Sequence, residues 1–189
     1  MMEKILKEWK KFINEQSGAR YSYSYSENAV NLIKKYESFS EKVYQRPGDK
    51  PTIGFGTTVY ISDDGKTKKP VTINDGPISQ EDADSYLRNY LDYVVMPSFN
   101  RYNKRRDLNQ NQIDSMVSVM YNKGNSSFLN SPLFSIINNN PKDTRIKDAF
   151  IQSATGKAPG ILKRREEEWR LYSLQGTEDT VSNQSKPFL

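Results

Sequence analysis

The sequence predicts an α+β protein with segregated elements: a helix, a small β-rich region, then a mainly helical C-terminal part. Three observations carry this. Apolar residues recur at helical spacing on both sides of Lys42–Asn74. Within that stretch the signals change to short β-branched and aromatic runs broken by Pro47-Gly48, Gly54, Gly56 and Asp64-Gly65. No internal repeat or low-complexity domain interrupts the order. A small sheet beside a helical body predicts two lobes with a cleft between them.

The elements follow in order. In residues 3–16, Ile5, Leu6, Trp9, Phe12 and Ile13 share one face, with Lys and Glu on the other. That pattern fits a helix packed on the body, or one that docks a partner, a virion or a membrane surface. Gly18 ends it, and the alternating Arg20–Ser26 stretch reads as a short strand or an extended tether. A second helix starts near Ser24 or Ser26, where Ser24 and Glu27 have capping-box spacing, and ends near Ser38. In the β-rich region, Asp64-Gly65 predicts a hairpin turn.

Ser79 then caps a helix with Ala83, Tyr86, Leu87, Tyr90, Leu91 and Val94 inward, and Pro97 limits it. Ile113, Met116, Val117 and Met120 form the next stripe, closed by Gly124. Ser131-Pro132 is an N-cap followed by proline at the first helical position. A shorter helix is predicted over 143–153. A charged one follows over 161–174, with Leu162, Trp169, Leu171 and Leu174 inward and Lys163-Arg164-Arg165 solvated against Glu166–Glu168. The boundaries expected are an extension and tether over 1–25, one domain over 26–176 and a polar tail over 177–189.

Composition narrows the chemistry. The 189 residues include neither cysteine nor histidine. That removes disulfides, thiolate zinc sites, and Ser-His-Asp or Cys-His mechanisms. Acid–base work falls to Asp, Glu, Lys or Tyr, with no cofactor or metal expected. The net charge of +5 favours polyanions, including the bacterial wall. No recognised nucleic-acid motif accompanies it, so no nucleic acid is expected. No apolar run approaches a transmembrane span of ~20 residues, and charged Met1–Phe12 lacks the apolar core of a signal peptide.

The chemistry concentrates in Glu37–Thr57, ESFSEKVYQRPGDKPTIGFGT. Glu37 ends an amphipathic helix among Tyr36, Phe39 and Tyr44. Partial desolvation there would disfavour its charged form, as a general acid requires. An ordinary solvated Glu fits the local pattern as well. Gly54 and Gly56 also fit a simple backbone bend.

The spacing Glu37, eight residues, Arg46, five residues, Thr52, Ile-Gly-Phe-Gly resembles the catalytic signature of phage-type lysozymes, glycoside hydrolase family 24. SENAVNLIKKYESF is similar to that family's first helix, and ISQEDADSYLRNYL to the helix after its β-lobe. QNQIDSMVSVMYNKGNSSFLNSPLFSIIN and APGILKRREEEWRLY resemble its central helical hairpin and closing helix. Together these cover Ser26–Gln175 in order.

The resemblance implies a two-lobed lysozyme-like fold. It implies a muramidase that cleaves the β-1,4 bond between N-acetylmuramic acid and N-acetylglucosamine, for wall lysis or penetration by a phage. In that family the Glu protonates the leaving oxygen, the Asp or Cys serves the opposite sugar face and the Thr places a water. Glu37 and Thr52 match. Arg46 stands at the Asp or Cys position, and Thr57 where many members carry His.

Arginine has no basic form at accessible pH and cannot be base or nucleophile. Three arrangements remain open: Asp49 in the same turn supplies the second carboxylate; Glu37 acts alone as in lytic transglycosylases; or the domain only binds peptidoglycan. Asn122, in the Tyr-Asn-x-Gly turn, would face the cleft if the family geometry holds, where it would bind substrate beside Gly54 and Phe55. A C-capping role beside Gly124 suits it equally. A monomer is expected, made in a host cytoplasm and acting on the wall; docking to a virion or a partner through the N-terminal helix is one of the delivery routes left open.

Overall fold

The computed structural model describes residues 22–156 and 158–174. The helix expected over 3–16 and the tail over 177–189 lie outside them. Helix α1 (Glu27–Glu37) is followed by strands β1 (Ser40–Tyr44), β2 (Thr52–Gly54), β3 (Val59–Ile61) and β4 (Lys68–Pro70). The body continues through α2 (Gln80–Tyr90), α3 (Met96–Tyr102), α4 (Gln110–Lys123), α5 (Asn125–Leu129), α6 (Pro132–Asn139), α7 (Ile146–Gln152) and α8 (Pro159–Ser173). No helix among the described residues is long and apolar enough to cross a membrane.

Helix α1 is N-capped by Ser26, whose side chain accepts the Asn28 N–H, and ends where Ser38 takes φ 58°. The antiparallel pair β1–β2 sets Tyr44 opposite Thr52 and Ser40 opposite Gly54, with an irregularity between. Strands β3 and β4 pair antiparallel, Val59 with Pro70 and Ile61 with Lys68, around the Asp64-Gly65 turn.

Helix α4 is the centre of the body. Every residue from Ile113 to Met120 is buried, including Asp114, Ser115 and Ser118. A helix enclosed all round must satisfy its polar groups internally. Asp114 does so by accepting from the Ser26 N–H at 2.8 Å, the Ser26 hydroxyl at 2.5 Å and Gln110 Nε2 at 2.9 Å. Helices α1 and α8 pack on α4.

Three expectations are corrected. Pro97 does not end a helix. A wider π-helical turn, Leu91–Val95, lies between α2 and α3, and Pro97 occupies the first turn of α3. The Met96 N–H reaches Leu91 O across that turn, which makes room for a ring that would clash with an α-helical carbonyl. Residues 22–25, expected within a tether, are docked. Tyr23 exchanges hydrogen bonds with Asn100 at 2.8 and 2.9 Å, and Tyr23 and Tyr25 pack on the core. The inner face of α8 is charged: Arg164, Arg165 and Glu168 are buried, while Leu162 and Leu174 are exposed.

Candidate active site

The cleft, about 200 Å³, is lined by Glu37, Gly56, Thr57, Thr58, Tyr90, Tyr121 and Asn122. Four pieces of chain meet there: the end of α1, the turn after β2, the end of α2 and the last turn of α4. Helix α1 positions Glu37 because its buried face, Ala29, Val30, Leu32 and Ile33, fixes its rotation on the body. The turn after β2 is closed by reciprocal backbone hydrogen bonds between Ile53 and Thr57 at 3.0 and 2.9 Å. Gly56 sits in it at φ 90°, and a Cβ there would lie 3.4 Å from Glu37 Oε2 and 3.5 Å from Tyr121 Oη. Glycine thus supplies the left-handed backbone that brings the turn against the carboxyl.

Glu37 keeps 22% of its side chain exposed, and its Oε1 accepts from Arg164 Nη1 at 2.5 Å. With Oε1 engaged, Oε2 is the oxygen on the Gly56 side. The aromatic surroundings differ from expectation. Tyr36 turns to α8, donating to Glu167 at 2.6 Å, and Phe39 packs on Phe55. Tyr90 and Tyr121 line the cleft instead, edge to face at 5.7 Å. Tyr121 donates to the Phe55 carbonyl at 2.7 Å.

Behind the cleft lies a buried polar network. Arg164 Nε donates to Glu168 Oε1 at 3.0 Å and its Nη2 reaches Ser118 O at 3.3 Å. Arg165 Nη1 pairs with Glu168 Oε2, and Arg165 Nη2 donates to Asn122 Oδ1 at 2.5 Å. Glu168 also accepts from the Ser118 hydroxyl at 2.7 Å. Sequence reasoning placed Arg164 and Arg165 in solvent. The signal available was their spacing of four and three residues from Glu168 on a helix whose apolar stripe is thin. Thr57 Oγ1, on the cleft, is buried without a hydrogen-bond partner among the described residues.

The other sequence-selected residues divide. Asn122 lines the cleft, and Gly124 is the C-cap of α4. Gly54 does not line it: at φ 62° it faces Ala83, where a Cβ would come within 2.9 Å. The Phe55 ring is buried against Phe39 under Lys34. Thr52 is half-buried and donates its hydroxyl to Lys50 O at 2.9 Å, so toward any further partner it is an acceptor.

The turn Arg46–Asp49 is closed by its backbone, Asp49 N–H to Arg46 O at 2.9 Å, and both side chains are exposed. Among the described residues Arg46 forms no ion pair, and the Asp49 carboxylate accepts no hydrogen bond. Burial pushes the Tyr44 phenol up and Glu37 pushes the same way; Arg46 opposes them, and Asp49 adds to the rise. All three charged groups are therefore within electrostatic reach of one phenol on β1.

Residues 34–168 match the family described as Phage lysozyme. The endolysin of Acyrthosiphon pisum secondary endosymbiont phage 1 is 28% identical over 153 residues, covering 78% of this chain and 96% of that protein. The solved endolysin from Escherichia coli O157:H7 phage FAHEc1 superposes with a TM-score of 0.65 at 27% identity, over 80% of this chain and 94% of its own. The muramidase domain of SpmX from Asticaccaulis excentricus gives 0.62 at 26% identity, over 81% and 99%.

Proposed function

The chain belongs to the phage lysozyme family and is a peptidoglycan-degrading glycosidase of the lysozyme type; from that premise we propose that Glu37 is its general acid, with Asp49 and Thr52 serving the attacking water. The bond cleaved is the β-1,4 link between N-acetylmuramic acid and N-acetylglucosamine. The observation that carries the assignment is the Glu37 carboxyl, fixed through Oε1 by Arg164 and open through Oε2 beside Gly56.

Protonated Glu37 donates to the leaving glycosidic oxygen as the C1–O bond breaks. Water adds to C1 from the opposite face and its proton passes to Asp49, with Thr52 accepting a hydrogen bond from that water. The support for Asp49 is its unpaired carboxylate on the turn beside Tyr44. Arg46 has only donors and leaves proton transfer to Asp49. Asn122 contributes a hydrogen bond to the sugar from the other wall.

Glu37→Gln keeps the shape and loses the transferable proton. Lysis of purified walls should fall by about 10²-fold or more while the melting temperature stays put. Retained lysis in that variant removes the assignment. Mass spectrometry of the digest reads the second carboxylate. Asp49→Ala should lower the yield of reducing-end muramic acid. Full activity with a 1,6-anhydro product would place the protein with Glu-only transglycosylases instead.

The same proposal has the protein work as a monomer delivered to the wall from the cytoplasm of a host, with residues 3–16 docking it to a virion or partner; their apolar spacing is the support. Removing residues 1–20 spares docked Tyr23 and Tyr25, so the body should keep its melting temperature and lose only that association. An insoluble or molten product would assign the segment to the core.

A further inference from the structure

Asn122 meets the cleft with one end of its amide already engaged. Arg165 Nη2 donates to Oδ1 at 2.5 Å. A guanidinium offers donors only, so the oxygen must face it and Nδ2 must face away. Nδ2 donates to no protein group among the described residues, and Asn122 lines the cleft.

Arg165 cannot release its hold cheaply. It is 1% exposed, and its other terminal nitrogen is paired with Glu168, which is fully buried and held by Arg164 and Ser118. Turning the Asn122 amide over would set an NH₂ against a guanidinium, donor against donor, at an arginine that is itself buried.

We infer that Arg165 is a positioning residue that locks Asn122 as a hydrogen-bond donor, making the cleft selective for sugars that present a carbonyl acceptor, the 2-acetamido group, over sugars with a free 2-amine. The inference rests on the glycosidase reading above. An acetamido carbonyl pairs with the fixed N–H. The ammonium of a de-N-acetylated sugar brings only donors, and leaves both sides unpaired. An unrestrained asparagine would turn over and offer Oδ1 to the ammonium, so the discrimination comes from Arg165 rather than from asparagine itself.

The test compares kcat and KM on fully N-acetylated glycan strands and on the same strands after chemical de-N-acetylation. The native protein should prefer the acetylated strands by about tenfold in kcat/KM, the scale of one buried hydrogen bond. Asn122→Asp keeps a partner for Arg165 but removes the donor. The preference should collapse, mostly through KM. Arg165→Lys can meet Glu168 or Asn122 but not both, and should lose most of the preference while kcat on acetylated strands changes less.

A native preference near one, or a preference kept in Asn122→Asp, overturns the inference. Asn122→Asp decides the matter alone if Arg165→Lys does not fold. Glu37→Gln run beside them separates the two levels. Activity in that variant breaks the Glu37 assignment of the proposed function, whereas an inactive Glu37→Gln with an undiminished preference in Asn122→Asp breaks this inference only.

Discussion

Two clusters of four charges, each with two acids and two bases, hold α1 to its neighbours. The outer one is Glu27, Lys34, Asp84 and Arg88. Arg88 grips Glu27 at 2.8 and 2.9 Å and Asp84 at 2.6 Å, and Lys34 meets Asp84 at 2.8 Å. Its side chains remain 25–67% exposed. The inner one is Glu37, Glu168, Arg164 and Arg165, where three members are at most 2% exposed and only Glu37 opens outward. Outer pairs are worth little, because water competes for every partner. The inner cluster gains little net stability over an apolar filling, since desolvation offsets attraction. What it supplies is direction: rigid donors aimed at a cleft carboxyl and a cleft amide.

The sharpest way to break the comparison is Glu168→Ala, which leaves buried Arg165 without an acid and Arg164 with Glu37 alone. It should cost about 3–5 kcal/mol by denaturant unfolding, and a loss under about 1 kcal/mol would mean that the inner cluster behaves like the outer one. Replacing Arg164, Arg165 and Glu168 together with Met should recover most of that loss, since no fully buried charge is left unpaired and Glu37 opens to solvent, yet lysis should be lost. Returned lysis would show that the arginines do not direct the site.

Gly56→Ala touches the open end of the inner cluster. Forcing alanine to φ 90° should cost about 1–3 kcal/mol, and the Cβ beside Oε2 should lower kcat more than it raises KM. Arg88→Ala, on the outer cluster, should cost at most about 1 kcal/mol, and less in high salt.

The smallest effect is in acid. Partial burial acts to raise the Asp84 carboxyl, but hydrogen bonds from Lys34 and Arg88 outweigh it and hold the group below its ordinary 3.8. A depressed carboxyl stabilises the fold above that value, and its contribution fades as pH falls through the lower folded value. Arg88→Ala should flatten the stability curve below about pH 4, measured by unfolding across that range.

The same contrast explains what the sequence revealed. The α4 stripe, the Ser131-Pro132 start of α6 and the Asp64-Gly65 turn were legible because each is set by neighbours in the chain: helical period, a cap, a turn. The α8 face was read correctly at Trp169, which packs on the core, and wrongly at its two ends and its arginines. Periodicity assigns Leu162 and Leu174 inward and arginines outward, whereas the fold exposes the leucines at 41% and 52% and buries Arg164 and Arg165. Charge burial of that kind is decided by partners that no local window contains. Glu37 and Arg164 are 127 residues apart in sequence, and Arg165 and Asn122 are 43 apart. Glu37 and Asn122 were found through spacing and turn patterns, and their arginine partners only through the fold.

The bond from Tyr121 to the Phe55 carbonyl acts as a bolt between the strand segment and the central helix, across the floor of the groove that the sugar chain would enter. A bolt made of a phenol would slip if it lost its proton. Burial pushes the Tyr121 phenol well up, and the nearby Glu37 carboxylate pushes it further. It therefore keeps its proton in alkaline surroundings where exposed tyrosines give theirs up. The width of the groove is in that sense decoupled from alkalinity: the jaws stay set because the bolt holds its proton.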